Sequence, residues 1–180
     1  MHKSLPASAA PAALLGGLLW IAYAILRFVR PLGLPATAGA GAAALALLAF
    51  ALVGVAARLG VSRQGSGRFG VAMGWTCLLA AAAAAVGGLA QQATFCSAAL
   101  IAGEVLLAFG VLLVAIEAAG EQTSAPAGSA LFVIGVIGML GLMAQALAAV
   151  TAWMLPIYAA LVMAVYGLAW VRFGGRLTAD

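Results

Sequence analysis

The chain consists of long apolar stretches separated by short polar ones. Six stretches of about 18 or more residues carry few charges, which is the length that an α-helix needs to cross a hydrocarbon core of ~30 Å at ~1.5 Å per residue. Polarity does not alternate within them, so membrane β-strands are not favoured. We predict an all-α, polytopic transmembrane helical bundle that forms a single domain, with helices at residues 12–29, 39–57, 69–90, 97–118, 129–150 and 152–171.

The connections between the predicted helices are short and rich in helix-breaking residues. Residues 30–35 contain Pro31 and Pro35, residues 62–67 contain two glycines, and residues 120–128 contain Pro126. Short connections favour antiparallel neighbouring helices in one bundle. The boundary near Val150 has no such signal, but the apolar stretch 129–171 is too long for a single crossing.

The composition supports a lipid-solvated protein. Hydrophobic residues make up 67% of the 180 residues and charged residues 7%, whereas a soluble domain has about 25% charged residues. So few polar side chains cannot cover a water-exposed surface. The net charge of +4 is spread over the ends of apolar stretches rather than along one basic stripe. We therefore expect the lipid bilayer as the surroundings and no nucleic-acid partner.

The positions of lysine and arginine predict an orientation. If the N-terminus lies inside, six basic residues fall on the cytoplasmic side: Lys3, Arg58, Arg63, Arg68, Arg172 and Arg176. Arg27 and Arg30 fall outside. The positive-inside rule then places the chain in a cell membrane, with a bacterial inner membrane expected, and both termini in the cytoplasm. Trp75, Trp153 and Trp170 lie near predicted helix ends, where indole rings favour the interface.

The first apolar stretch has a second interpretation, a secretory signal peptide. Lys3 precedes the stretch, and Ala22-Tyr23-Ala24 fits an Ala-x-Ala cleavage site. However, the apolar run continues past that site to Arg27. A flanking arginine is more typical of the end of a membrane helix, so we favour the helix.

The cysteines and the histidine give no sign of a metal or cofactor. Cys77 and Cys96 fall in different segments, which the predicted topology places toward opposite faces of the bilayer, so we expect no disulfide between them. Neither lies in a Cys-x-x-Cys or Cys/His pattern. His2 precedes the first apolar stretch, so the bundle has no histidine for haem ligation or for a nucleophile triad. We predict no metal and no cofactor.

Glu104 is the residue that most strongly indicates a site. It interrupts an apolar helix ~10 Å from its start, and ionisable groups at that depth are rare and face the bundle interior. The predicted topology places several other polar residues in the same outer half of the bundle. These are Tyr23, Arg27, Gln91, Gln145 and Tyr158.

Two interpretations of these polar residues stay open. One is an outward-facing polar pocket, in which Arg27 is the countercharge of Glu104 and Pro156 kinks the sixth helix to open a cavity. The other is structural: Glu104 and Gln145 hydrogen-bond between helices. We place the structural interpretation slightly ahead.

Two further groups of residues are given no chemical role. Glu117 and Glu121 are predicted to pair with Arg58, Arg63 or Arg68 on the solvated rim. The glycines of two helices resemble close-packing positions rather than a phosphate loop, because no strand precedes them and no lysine accompanies them. These glycines are Gly135, Gly138, Gly141, Gly70 and Gly74.

Three classes of function are compatible with this sequence. The first, which we prefer, is a non-enzymatic membrane subunit or scaffold that binds a membrane protein partner or a second copy of itself. The second is a small transporter or solute-binding membrane component with its site around Glu104. The third is an intramembrane enzyme, for which the sequence offers no catalytic constellation.

Overall fold

The computed structural model describes residues 4–28, 33–63, 65–120, 124–150 and 155–179. These residues form six α-helices, and a single 3-10 turn, Val61–Arg63, joins the second to the third. The helices are α1 (Ser4–Phe28), α2 (Leu34–Arg58), α3 (Gly65–Leu89), α4 (Ala93–Gly120), α5 (Ala125–Val150) and α6 (Leu155–Ala179).

All six helices are long and apolar enough to span a membrane. The predicted all-α transmembrane bundle is therefore confirmed. The helices extend past most of the predicted spans: α1 begins at Ser4 rather than at residue 12, and α6 ends at Ala179 rather than at residue 171. A helix continues as long as its backbone hydrogen bonds do, and not only while its side chains are apolar. Residues 29 and 152–154 of the predicted spans lie outside the described residues.

Prolines lie in the first turns of α2, α5 and α6. Pro35 occupies the first turn of α2, and Pro126 and Pro156 are the second residues of α5 and α6. The first-turn N–H groups have no acceptor within the helix, so a proline there removes no hydrogen bond. The expected kink at Pro156 is therefore wrong, because this residue lies at the beginning of α6 rather than inside it.

The helices form an antiparallel ring. Each helix packs against the next one in the chain, α6 returns to pack against α1, and α2 also contacts α4. One end of the bundle carries most of the arginines, and we call it the basic end. Its described arginines are Arg58, Arg63, Arg68, Arg172 and Arg176. The opposite end holds Arg27, and we call it the Glu104 end.

Burial differs strongly between the helices. In α2, 67% of the most apolar window is buried inside the protein, against 28% in α3 and 22% in α5. The exposed side of α5 is a stripe of large apolar residues at helical spacing, including Phe132, Val136, Leu140 and Met143. Lipid can solvate such a stripe at no cost, whereas water cannot.

Four of the five glycines predicted for packing lie against a neighbouring helix. A Cβ atom on Gly70 would lie 2.7 Å from the carbonyl oxygen of Gly110, and one on Gly135 would lie 2.6 Å from the side chain of Leu112. For Gly74 the nearest atom, in Val53, would be 3.0 Å away, and for Gly138 it would be a ring carbon of Tyr166 at 3.0 Å. Gly141 differs, because its nearest neighbour, in Val162, is 3.9 Å away.

The closest approach between α1 and α6 involves glycines that the sequence analysis did not select. A Cβ on Gly17 would lie 2.5 Å from the Gly167 carbonyl oxygen, and a Cβ on Gly167 would lie 2.6 Å from the Gly17 carbonyl oxygen. The two backbones therefore touch, as small residues allow at membrane helix crossings. This contact joins the first helix of the ring to the last.

Candidate functional site

Glu104 lies inside the bundle and is engaged by three side chains. Its residue is 4% exposed. Oε1 of the carboxylate lies 3.4 Å from Arg27 Nη1, which forms an ion pair with it, and 3.4 Å from the Tyr23 hydroxyl, which donates a hydrogen bond. Gln145 Nε2 donates to Oε2 at 2.5 Å. The structure thus brings four of the six proposed pocket residues together, and we call them the Glu104 cluster.

The Glu104 cluster joins helices that are not all neighbours in the ring. Among the described residues α1 does not pack directly against α4, yet Tyr23 and Arg27 of α1 reach Glu104 of α4. Tyr23 and Arg27 are four residues apart and so share one face of α1, and Arg27 Nη1 donates to the Tyr23 hydroxyl. Gly41 of α2 makes the reach possible, because a Cβ there would lie 2.9 Å from the Tyr23 ring.

The guanidinium of Arg27 balances the buried carboxylate. Its side chain is 23% exposed, whereas that of Glu104 is 3% exposed. The guanidinium carbon lies 5.6 Å from the centre of the Tyr23 ring and 5.4 Å from that of Phe28, within cation–π range. A buried charge without a partner costs several kcal/mol. The pairing therefore lets a carboxylate reside at this depth.

A small cavity lies beside Glu104. Its volume is about 10 Å³, which is room for about one water molecule. Two of the residues that line the cavity, Trp20 and Gln145, each have a buried polar atom without a hydrogen-bond partner among the described residues, Trp20 Nε1 and Gln145 Oε1. The cavity is lined by Trp20, Glu104, Leu107, Gly138, Gly141, Leu142, Gln145, Met163 and Tyr166.

Known proteins do not identify this arrangement. Comparisons with protein families, curated proteins and solved structures give no match. The Glu104 cluster holds a charge pair and hydrogen bonds between three helices, and its cavity admits a molecule the size of water.

Two proposed pocket residues lie elsewhere. Gln91 is exposed in the turn between α3 and α4, where its φ of 55° is in the left-handed region. Tyr158 is 58% exposed near the start of α6. Both were grouped with Glu104 by their predicted depth, but depth does not determine which way a side chain faces. The structure therefore places them outside the Glu104 cluster.

An aromatic row that the sequence analysis missed leads to the Glu104 cluster. Trp20 contacts Tyr23 and Tyr166 edge to face, each at 5.5 Å between ring centres. The row continues from Tyr166 to Trp170 at 6.4 Å and on to Phe173 at 6.1 Å. Trp20 gave no signal in the sequence, since a tryptophan in an apolar stretch is ordinary.

The tryptophans predicted as interfacial anchors differ from one another. Trp170 is fully buried, so its predicted interfacial position is wrong. Its ring packs edge to face against Tyr166 and Phe173 of the same helix, on the side of α6 that faces the bundle interior. Trp75 is 51% exposed, and Trp153 lies outside the described residues.

The acidic residue at the basic end has a capping role. Glu117 accepts hydrogen bonds from the backbone N–H and the hydroxyl of Ser66, both at 2.8 Å. A carboxylate there neutralises the free N–H groups at the start of α3. The predicted pairing of Glu117 with an arginine is therefore wrong, and within the described part of the chain the ion pair is Arg27–Glu104 alone. Glu121 lies outside the described residues.

The two cysteines are free and buried. Cys77 Sγ donates to the carbonyl oxygen of Gly103 at 3.3 Å, which ties α3 to α4. Across the five described ranges, no group of three or more His, Cys, Asp or Glu side chains could hold a metal ion.

Proposed function

We propose that this chain is a non-enzymatic membrane subunit or scaffold, in which the Glu104 cluster fastens α1, α4 and α5 to one another. One observation carries the proposal: both oxygens of the Glu104 carboxylate are engaged by the protein's own side chains. The adjoining cavity of about 10 Å³ is far below the roughly 300 Å³ at which small-molecule sites begin. A carboxylate engaged at both oxygens in so small a space suits a structural contact.

The partner of such a subunit would contact the exposed apolar sides of α3 or α5. These sides are large, since most of the apolar window of each helix is not buried within the chain. The test is extraction from native membranes in a mild detergent, followed by size separation and identification of co-migrating chains. We expect a stoichiometric assembly, with either another chain or a second copy, that persists in Glu104→Gln.

A matched pair of variants makes this test specific. Leu140→Trp enlarges a side chain on the exposed stripe of α5 that is 52% exposed, and we expect it to weaken the assembly. Leu15→Trp makes the same change on α1, at a residue that is 54% exposed. A chain that is monomeric after mild extraction, at every concentration, contradicts the subunit proposal.

We also propose that the chain resides in a cell membrane, such as a bacterial inner membrane, with both termini in the cytoplasm. The pairing of Arg27 with Glu104 supports this orientation, because it removes one of the two basic residues that counted against it. A fluorescent protein fused after residue 180 should then fluoresce. A secreted phosphatase fused there should be inactive, and it should be active when inserted after Gln91. The reverse pattern contradicts the orientation.

A second candidate function, a transporter or binding component for a very small solute, is favoured by one observation. Trp20 and Gln145, whose Nε1 and Oε1 atoms have no partner among the described residues, line the same cavity as Glu104. One donates and the other accepts, so a water-sized molecule could bridge them. Such a chain of polar groups in a membrane can carry protons.

Proteoliposomes with a pH-sensitive dye inside test this second candidate. Proton flux that depends on an imposed gradient, and that Glu104→Gln abolishes while Arg68→Gln does not, would favour transport over the scaffold. Flux no higher than in empty vesicles would remove it.

A further inference from the structure

The basic end of the bundle contains an apolar groove between the beginning of α5 and the end of α6. Its volume is about 260 Å³, many times that of the cavity beside Glu104. Apolar side chains form its walls, and two arginines lie at its edge. The lining residues are Ala130, Val133, Ile134, Ala169, Arg172, Phe173 and Arg176.

Among the described residues the two arginines have no countercharge. Arg172 and Arg176 are four residues apart on α6, so they lie on one face of the helix, separated by ~6 Å along its axis. Both are exposed. Within the described ranges neither forms an ion pair or a hydrogen bond, and no carboxylate lines the groove. Arg58 at the same end differs, since its Nη1 donates to the carbonyl oxygen of Leu177 at 2.8 Å.

An arginine near the end of a membrane helix ordinarily extends toward the headgroups without binding any particular lipid. The groove makes this pair different. Arg176 lies three residues before the end of α6, and Arg172 lies seven before it, about level with Val133, which is eight residues from the start of α5. Ile134 and Ala169 lie deeper, at nine and ten residues from the same end of the bundle. The charged edge of the groove thus begins nearer the end of the bundle than its deepest apolar walls, the order in which a phospholipid places its phosphate and its acyl chain.

We propose that this groove binds an anionic phospholipid. The guanidinium groups of Arg172 and Arg176 hold the phosphate, which arginine can contact through two parallel N–H groups. An acyl chain lies between α5 and α6 against Val133, Ile134 and Ala169. Basic pockets between membrane helices bind anionic headgroups in this way. The inference requires the membrane location but neither of the two functions proposed above.

The test is a titration of the purified full-length chain in a neutral detergent with phosphatidylglycerol, followed by native mass spectrometry. Phosphatidylcholine and soluble glycerol phosphate are titrated in parallel, because they separate the charge of the lipid from its chain. We expect phosphatidylglycerol to bind one copy per chain and to bind more tightly than either. The double variant R172Q/R176Q should bind it about tenfold more weakly or worse, since one hydrogen bond to a charged group contributes roughly that factor.

The matched control is R63Q/R68Q, which removes two exposed arginines from the same end but none from the groove. It should leave the affinity within about twofold. A third variant, Val133→Trp, fills the groove at a residue that is 55% exposed; it should weaken phosphatidylglycerol binding without changing the charge.

Three results would overturn the proposal. The first is equal loss of binding in R172Q/R176Q and R63Q/R68Q, which would mean diffuse attraction to the basic end. The second is equal binding of phosphatidylcholine. The third is a dimer of this chain that Val133→Trp dissolves, which would assign the groove to a second copy.

Discussion

Arginines lie near helix ends at both ends of the bundle, but their surroundings are opposite. Arg27 at the Glu104 end is mostly buried and pairs with a carboxylate of another helix. Arg172 and Arg176 at the basic end are exposed, and no described carboxylate accompanies them. The comparison shows that an arginine near a helix end can form a buried ion pair within the protein, or it can stay exposed and available to bind a molecule outside the protein. Only the presence of a carboxylate within reach separates the two cases.

The largest effect is expected when one member of the buried pair is removed. Arg27→Leu leaves the Glu104 carboxylate inside the bundle without its countercharge, which should lower the free energy of unfolding by about 3 kcal/mol. Arg172→Leu makes the same change at the basic end and should alter it by less than about 0.5 kcal/mol. Reversible unfolding in mixed micelles, without anionic lipid, measures both. If both variants lose the same free energy of unfolding, the arginines at the two ends do not differ in their contribution to stability.

A smaller loss of unfolding free energy is expected from a substitution midway between the two ends, at the crossing of α1 and α6. The two helices are held together there by packing. Gly17→Ala places a methyl group 2.5 Å from the Gly167 carbonyl oxygen, so α1 and α6 must separate, at about 1 to 3 kcal/mol. Gly141→Ala is the matched control, since its nearest neighbour is 3.9 Å away. Thermal unfolding in detergent compares them, and a Gly141→Ala chain that is the less stable of the two would refute the close crossing.

Gln145 should contribute less than the ion pair. Gln145→Leu removes one hydrogen bond to Glu104, which in membrane proteins is worth about 0.6 to 2 kcal/mol. Gln92→Leu serves as the control, because Gln92 is exposed in the turn before α4. If both variants unfold at the same denaturant concentration, the contact between α5 and α4 is not energetically significant.

The smallest effect concerns the tyrosine hydroxyl. Tyr23→Phe keeps the buried ring but removes its hydrogen bond to Glu104, and we expect a loss of about 0.5 to 1 kcal/mol. Tyr158→Phe makes the same chemical change at a residue that is 58% exposed and should have no measurable effect. Tyr23→Phe becoming more stable than the parent chain would show that the hydroxyl is not a favourable partner of Glu104.

Much of the fold could be predicted from hydropathy, because membrane-spanning helices need a fixed length of apolar residues. The helix ends could not, since helices such as α1 and α6 continue beyond their apolar stretches. The depth of a residue in the membrane can also be predicted from the sequence. Glu104, Arg27 and Gln145 were proposed to share one pocket because their predicted depths are similar. Rotation about the helix axis does not follow, because almost every side chain in these helices is apolar.

That missing information explains the particular errors. Tyr158 and Trp170 lie on α6, yet one faces outward and the other is fully buried, and no polar stripe in the sequence distinguishes the two sides. Gly17 and Gly167 were missed for a related reason. A contact between the first and last helices depends on how the ring closes, which short connections between neighbours do not specify.

The central claim is that the charge of Glu104 is neutralised within the protein by Arg27, and a double-mutant cycle tests it most directly. Free energies of unfolding are measured for the parent chain, Arg27→Leu, Glu104→Leu and the double variant. We predict that the double variant is more stable than either single variant, because replacing both members of a buried pair leaves no unpaired charge. A double variant whose loss equals the sum of the two single losses would contradict the claim.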